Sequence, residues 1–177
     1  PGTNDFVNFA FWNDTIWQPA MQLDSYASTI YLPRLLVYNN DLYLAQVAGL
    51  DTCLNNHPPI LSAGLLKYNK PCKSLEIIGN NWGNGTVKCL LEWNGILYVG
   101  FDHINSIYGS YITSYDGTNF SPLGTGLNYF VESMTVYNGQ LVAAGGFTAD
   151  GTNTQMLPYI ATWNGITWLP FPDQCDF

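Results

Sequence analysis

The residues of this 177-residue chain best suited to hold a metal or move a proton are two histidines and a scatter of aspartates. Asp102 adjoins His103, Asp51 lies close to His57, and Asp150 opens the run Asp150-Gly151-Thr152-Asn153. Asp24, Asp173 and Asp176 stand apart from these. Imidazole with carboxylate suits zinc, and carboxylate oxygens alone suit calcium. The spacing matches no cage: the Asp102-His103 pair is adjacent, and His57 is far from it in sequence. The Asp150 run has the flavour of a calcium loop but lacks the alternating acidic ligands such a loop needs. Calcium is therefore the one cofactor that the acidic loops suggest, and the expectation is none. No Gly-x-Ser-x-Gly elbow and no phosphate loop occurs. Two carboxylates that converge in space could hydrolyse a glycoside, but no spacing favours a pair. The expectation is a protein that is not an enzyme.

Charge and cysteine usage narrow the partners. The formal net charge is −8, with five basic residues, of which Arg34 is the only arginine. Nucleic acid and anionic membrane surfaces are attracted by Lys and Arg, so neither is expected as a partner. No apolar run approaches the roughly 18 residues of a membrane span. Scarce lysine beside abundant Asn, Thr, Gly and aromatics points to an extracellular or cell-surface chain. The four cysteines, Cys53, Cys72, Cys89 and Cys175, form no Cys-x-x-Cys pair. In an oxidising compartment they are disulfide candidates, with three connectivities open or bonds to other chains. Cys72 sits beside Pro71 in an enlarged turn, so Cys53–Cys72 is the pairing favoured; buried thiols are the alternative. Three sequons, at Asn13, Asn84 and Asn119, are candidate glycosylation sites in a secreted eukaryotic protein. No signal peptide is visible, and a chain beginning at Pro1 suits a processed or trimmed one.

The elements that must carry these residues are written as two alternating phrases. The first is aromatic–turn–aromatic: Trp12-Asn13-Asp14-Thr15-Ile16-Trp17, Tyr68-Asn69-Lys70 leading to Leu75, Tyr115-Asp116-Gly117-Thr118-Asn119-Phe120, and Trp163-Asn164-Gly165-Ile166-Thr167-Trp168. The second places a two-residue turn between apolar runs, at Asn39-Asn40, Asn94-Gly95 and Asn138-Gly139. Asn and Gly reach positive φ at least cost, which is what a type I′ hairpin turn demands of both central residues. Two hairpins recurring in alternation define an array of similar units. Abundant Tyr, Phe, Trp, Val, Ile and Thr suit strands, and no stretch carries helical periodicity with caps.

These phrases resemble kelch-type β-propeller repeats. The likeness is to the secreted kind with aromatic-Asn-Gly-x-x-aromatic strand pairs, as in fungal cell-surface cortical markers and many bacterial surface proteins. It spans roughly residues 6–171. Leu141 to Phe147, with Gly145-Gly146, and the unit-ending Trp168 match best; Gly100-Phe101 keeps half of the diglycine, and Ala45-Gln46 none. The resemblance implies an all-β fold of four-stranded antiparallel blades around an axis and no single activity. Galactose-oxidase-like relatives need more His and Tyr ligands than this chain offers. Ser114 to Phe120 is superficially similar to a sialidase Asp-box, but it misses a residue between Asp and Gly, and no arginine cluster accompanies it.

Mapped on that blade, the chain is a single repeat domain, 1–177. It holds blades at 33–77, 87–123 and 131–170, plus an extra N-terminal hairpin at 6–19 without inner strands of its own. Such an incomplete propeller leaves edges and faces open. It is completed by missing blades of a larger parent, completed by other copies, or replaced by a non-ring stack. Trp12, Trp17, Trp93, Trp163 and Trp168 occupy repeat positions and are expected in blade cores. The mapping also places the short turns on one rim. Long connections fall on the other: Gly49 to Ala63, Asp102 to Gly109, Thr148 to Pro158, Ala20 to Tyr31 and Gly79 to Thr86. Binding residues concentrate on loops held by a rigid scaffold. The candidate ligand-binding residues are Trp82, Tyr129, His57, His103 and Asp102. Two functions follow as expectations: a structural or adhesive module that assembles with other chains or a larger parent, and a propeller that binds carbohydrate or protein through the long-loop rim.

Overall fold

The Asn-rich turns fold as their residues require. Both central residues are left-handed at Asn39-Asn40 (φ 50° and 63°), Asn94-Gly95 (53° and 73°) and Asn138-Gly139 (49° and 72°). Three of the aromatic–turn–aromatic phrases close differently, by an Asx turn. Asn13 Oδ1 accepts the backbone N–H groups of Thr15 and Ile16 at 3.2 and 2.9 Å. Asp116 Oδ1 accepts those of Thr118 and Asn119, both at 2.7 Å. Asn164 Oδ1 accepts those of Ile166 and Thr167 at 2.9 and 2.8 Å. One short polar side chain thus organises the same four-residue turn three times.

A computed structural model describes residues 10–19, 31–47, 64–70, 74–79, 86–105 and 109–172. Among them all regular structure is strand. The hairpin β1 (Ala10–Trp12) and β2 (Trp17–Pro19) forms a sheet by itself. Three four-stranded antiparallel meanders follow. The first is β3 (Tyr31–Tyr38), β4 (Asp41–Val47), β5 (Gly64–Asn69) and β6 (Ser74–Ile78). The second is β7 (Val87–Trp93), β8 (Ile96–Asn105), β9 (Gly109–Tyr115) and β10 (Phe120–Pro122). The third is β11 (Val131–Tyr137), β12 (Gln140–Gly145), β13 (Ile160–Trp163) and β14 (Trp168–Pro170). The first strands of the three sheets are neighbours, with β7 beside both β3 and β11. The result is an all-β, propeller-like arrangement of three blades, left incomplete.

Period-two alternation splits the middle blade between two cores. On one face Leu97, Val99, Phe101 and Tyr115 pack on Tyr38, Tyr43, Ala45 and Leu65 of the first blade. On the other, Cys89, Ile112, Leu91 and Tyr98 pack with Leu141, Ala143, Ala161 and Trp168 of the third. Full burial of an apolar side chain of this kind contributes about 1.5–3 kcal/mol, so blade-on-blade packing is the main cohesive term.

Two expectations are corrected. The connection expected as a loop from Asp102 to Gly109 is mostly strand. After an irregularity between Gly100 and Ile104, pairing resumes at Ile104↔Ser110 and Asn105↔Gly109. Trp12 and Trp17, expected in a core, are 50% and 58% exposed. Their hairpin pairs with no other described strand, whereas Trp168 is 1% exposed under the preceding blade.

Candidate functional site

The third blade shows how a long connection is held on its rim. Asp150 is buried, which by itself raises a carboxyl pKa. Hydrogen bonds reverse the balance and hold it well below the usual carboxylate range. Oδ1 accepts the backbone N–H groups of Gln155 at 2.9 Å and Thr154 at 2.8 Å. Oδ2 accepts the hydroxyls of Thr152 at 2.6 Å and Thr125 at 3.0 Å. The carboxylate is filled by protein donors and acts as a staple for the loop after β12. Thr125 comes from the link that precedes the blade, so Asp150 also ties link to loop.

Backbone contacts complete that tie. Asn128 Oδ1 accepts the N–H groups of Thr148 and Ala149 at 2.9 and 3.1 Å. Gly151 N–H donates to the Gly126 carbonyl at 3.0 Å, and a Cβ on Gly151 would lie 1.9 Å from the Thr125 carbonyl oxygen. The Gly145-Gly146 pair serves the same crossing. A Cβ on Gly145 would fall 2.1 Å from the Phe130 carbonyl oxygen, and one on Gly146 would meet the Phe130 and Tyr129 rings. The strand register equates Gly100 with Ala144 and Phe101 with Gly145. The middle blade therefore has Phe101 where the diglycine begins, and Gly100 instead makes room for Cys89 and Val131.

On this scaffold the link presents an aromatic surface. Tyr129 is 51% exposed, packs edge-on to Tyr111 at 5.8 Å and contacts Phe130 at 5.0 Å. Met156 and Tyr159 are also exposed on the neighbouring loop. Tyr111 and Tyr159 occupy equivalent repeat positions, each preceding an isoleucine, and both have positive φ, 61° and 67°. A tyrosine in that region is a backbone outlier, so strand entry at this rim is strained twice.

Of the other residues singled out from sequence, His103 is exposed and Asp102 half-buried, both on β8. Asp102 accepts the Thr86 N–H at 2.6 Å, tying the link before β7 to the end of β8. The structure thus engages Asp102 in the scaffold and brings neither residue to Tyr129 in any described contact. His57, Trp82, Asn84, Cys53, Cys72 and Cys175 lie outside the described residues, and so does the Cys53–Cys72 pairing. Cys89 is a buried thiol whose Sγ contacts the Val131 carbonyl at 3.7 Å; burial pushes its pKa up to about 12. Asn13 and Asn119 are exposed in Asx turns. Among the described residues, no three His, Cys, Asp or Glu side chains gather as a metal site.

A charged groove went unread in the sequence. Asp41, Lys67, Lys70 and Glu76 line a cavity of about 300 Å³ on the first blade. Lys67 Nζ lies 2.6 Å from Asp41 Oδ2 and 5.9 Å from the Tyr43 ring centroid. Lys67 faces Glu76 across the β5–β6 pair. The only sequence signal was that cross-strand opposition of charge, visible once the register is known.

The outer hairpins form a second type of site. In the third blade Trp163 and Trp168 lie tilted against each other at 5.4 Å, and the Trp168 indole N–H donates to the Leu123 carbonyl at 3.2 Å. In the middle blade Tyr115 and Phe120 lie 4.6 Å apart, and Tyr115 contacts Tyr38 and Tyr43 of the first blade. Trp12 and Trp17 reproduce the pair at 5.7 Å but leave it open to solvent together with Ile16. The fold therefore defines a class, an all-β protein of propeller-like blades with an uncovered aromatic hairpin. Beyond that class, the chain matches no family model and no curated protein.

Proposed function

We propose that this chain is a non-catalytic structural or adhesive module of kelch-type blades that acts by assembling with other chains or with further blades of a larger parent. The observation that supports the reading is the Trp12–Trp17 hairpin, built like the two hairpins that bury their aromatics against a neighbouring blade, yet exposed. Large aromatic side chains in a contiguous patch are the usual anchors of protein contacts. The extracellular setting, glycosylation at Asn13, Asn84 and Asn119, and disulfides among the cysteines belong to the same reading. Imaging and native mass measurement of the material as it occurs test it: fibres, rings or a larger particle are expected. A lone monomer that leaves the hairpin uncovered would overturn it.

A second reading rests on Tyr129. An exposed tyrosine braced by Tyr111 and set beside Asn128 offers a flat face for a sugar ring or a protein partner. Glycan-array retention that is lost in Tyr129→Ala would support it. Retention unchanged in that variant, or none at all, would remove it.

A further inference from the structure

The assembly reading leaves open which surface the hairpin meets, and the repeat register answers that. Each internal blade junction has the same two halves. One half is the aromatic pair of the following blade, Tyr115/Phe120 or Trp163/Trp168. The other is the receiving face of the preceding blade. At the second junction that face carries Leu91, Trp93, Tyr98 and Ile112, and ends at Leu123 just beyond β10. At the first it includes Leu36, Tyr38, Tyr43 and Leu65, and ends at Ile78.

The third blade carries the same face, buried at its centre, where Val142 and Thr162 are each 5% exposed, and open at Tyr137. By register its residues are Thr135, Tyr137, Val142 and Ile160, with Leu169 on β14 and Phe171 in the place of Leu123. Tyr137 is 48% exposed, while its equivalent Tyr38 is 1% exposed and Trp93 is partly buried. Leu169 is 38% exposed, its equivalent Ser121 at the second junction is exposed too, and the Phe171 ring lies tilted against Tyr137 at 5.8 Å. Among the described residues, the Trp12/Trp17 pair and the Tyr137 side of the third blade's face are thus exposed, and they are the two kinds of surface that each internal junction brings together.

We infer, resting on the assembly reading, that a second copy of this chain docks head to tail. Its Trp12–Trp17 hairpin seats on the Tyr137–Leu169–Phe171 face of the first copy. The Trp17 indole N–H donates to the Phe171 carbonyl, as Trp168 does to Leu123. The contact joins two different surfaces, so it is heterologous and propagates to a ring or a filament. The continuity of this junction with the two internal ones selects a copy of the same repeat as occupant over an unrelated partner.

Sedimentation velocity across concentration tests it on the whole chain and two single-end variants, Trp17→Asp and Tyr137→Asp. Both residues are exposed, and circular dichroism with a melting curve verifies that each variant folds. The wild type is expected to associate, and each variant alone to lose association by about 30-fold or more, as central aromatic contacts do. An equimolar mixture of the two variants retains one intact junction and is expected to form a pair and nothing larger. Association that survives Tyr137→Asp, or a mixture that stays monomeric, would overturn the head-to-tail pairing while leaving the assembly reading to the imaging test. A wild-type chain that stays monomeric at every concentration would overturn it as well. Hairpin-to-hairpin association would show as loss in Trp17→Asp with no effect of Tyr137→Asp, which also overturns it.

Discussion

Two hairpins of nearly the same sequence, Trp12 to Trp17 and Trp163 to Trp168, have opposite environments. Both close by an asparagine Asx turn, and both set two indoles within 6 Å. Yet Trp17 is 58% exposed and Trp168 1%. The local code is shared, so the difference lies wholly in the neighbour. Trp168 has Leu123 of the blade before it, and Trp17 has no described counterpart. In this protein a hairpin is a local product, and a core is a product of two adjacent units.

Breaking the comparison is most direct at the indoles. Trp168→Ala is expected to destabilise the fold by about 3–5 kcal/mol, the usual cost of emptying a buried aromatic site. Thermal or denaturant melts would measure it, and a loss below 1 kcal/mol would contradict the burial described. Removing Asp150, the staple that lets the third blade grip the link, comes next. Asp150→Asn is expected to cost about 1–3 kcal/mol by weakening charge-assisted hydrogen bonds. The sign with pH follows from its depressed pKa. Stability from this group is complete above the unfolded value near 3.9 and is lost as pH falls toward the lower folded value. Melts of wild type and Asp150→Asn should therefore converge below about pH 4; curves that stay parallel would argue against the staple.

Smaller effects sharpen the contrast. Asn164→Ala removes a side chain that caps two N–H groups under a packed blade, and a loss of about 1 kcal/mol is expected, as for other side chains that cap backbone N–H groups. Asn13→Ala removes the same cap from an exposed hairpin, so global melting should barely move, while amide exchange at Thr15 and Ile16 should speed up. Last, Trp17→Ala in the dispersed monomer should shift stability by no more than about 0.5 kcal/mol. A large loss there would show that the hairpin is already part of a core.

Much of the fold was legible because its signals are local. The two-residue hairpin turns are each decided within a few residues, and they form at Asn39-Asn40, Asn94-Gly95 and Asn138-Gly139, where the sequence places them. What was illegible is nonlocal. Asp150 reads as a loop carboxylate until Thr125, from another connection, donates to it. Asp102 and His103 read as loop residues because strand β8 resumes only through pairing with Ser110 and Gly109. The exposure of Trp12 and Trp17 could not be read at all, since their own residues are those of buried hairpins. Of the ligand-binding candidates among the described residues, Tyr129 alone sits on an exposed aromatic surface. Its bracing by Tyr111 depends on a link crossing the blade, for which Gly145-Gly146 was the available signal.

Among the described residues, the middle blade is the only one with a core on each face, and that placement has a thermodynamic consequence. In a linear array, unit stabilities add through nearest-neighbour couplings. Among the described residues the unit between β7 and β10 has two such couplings, and each outer unit has one. Native-state amide exchange should therefore rank protection from the centre outward, with β8 and β9 slowest and the terminal hairpin fastest. Any partner that caps an end would add a coupling there and flatten the gradient, so protection at the two ends doubles as a gauge of whether they are occupied.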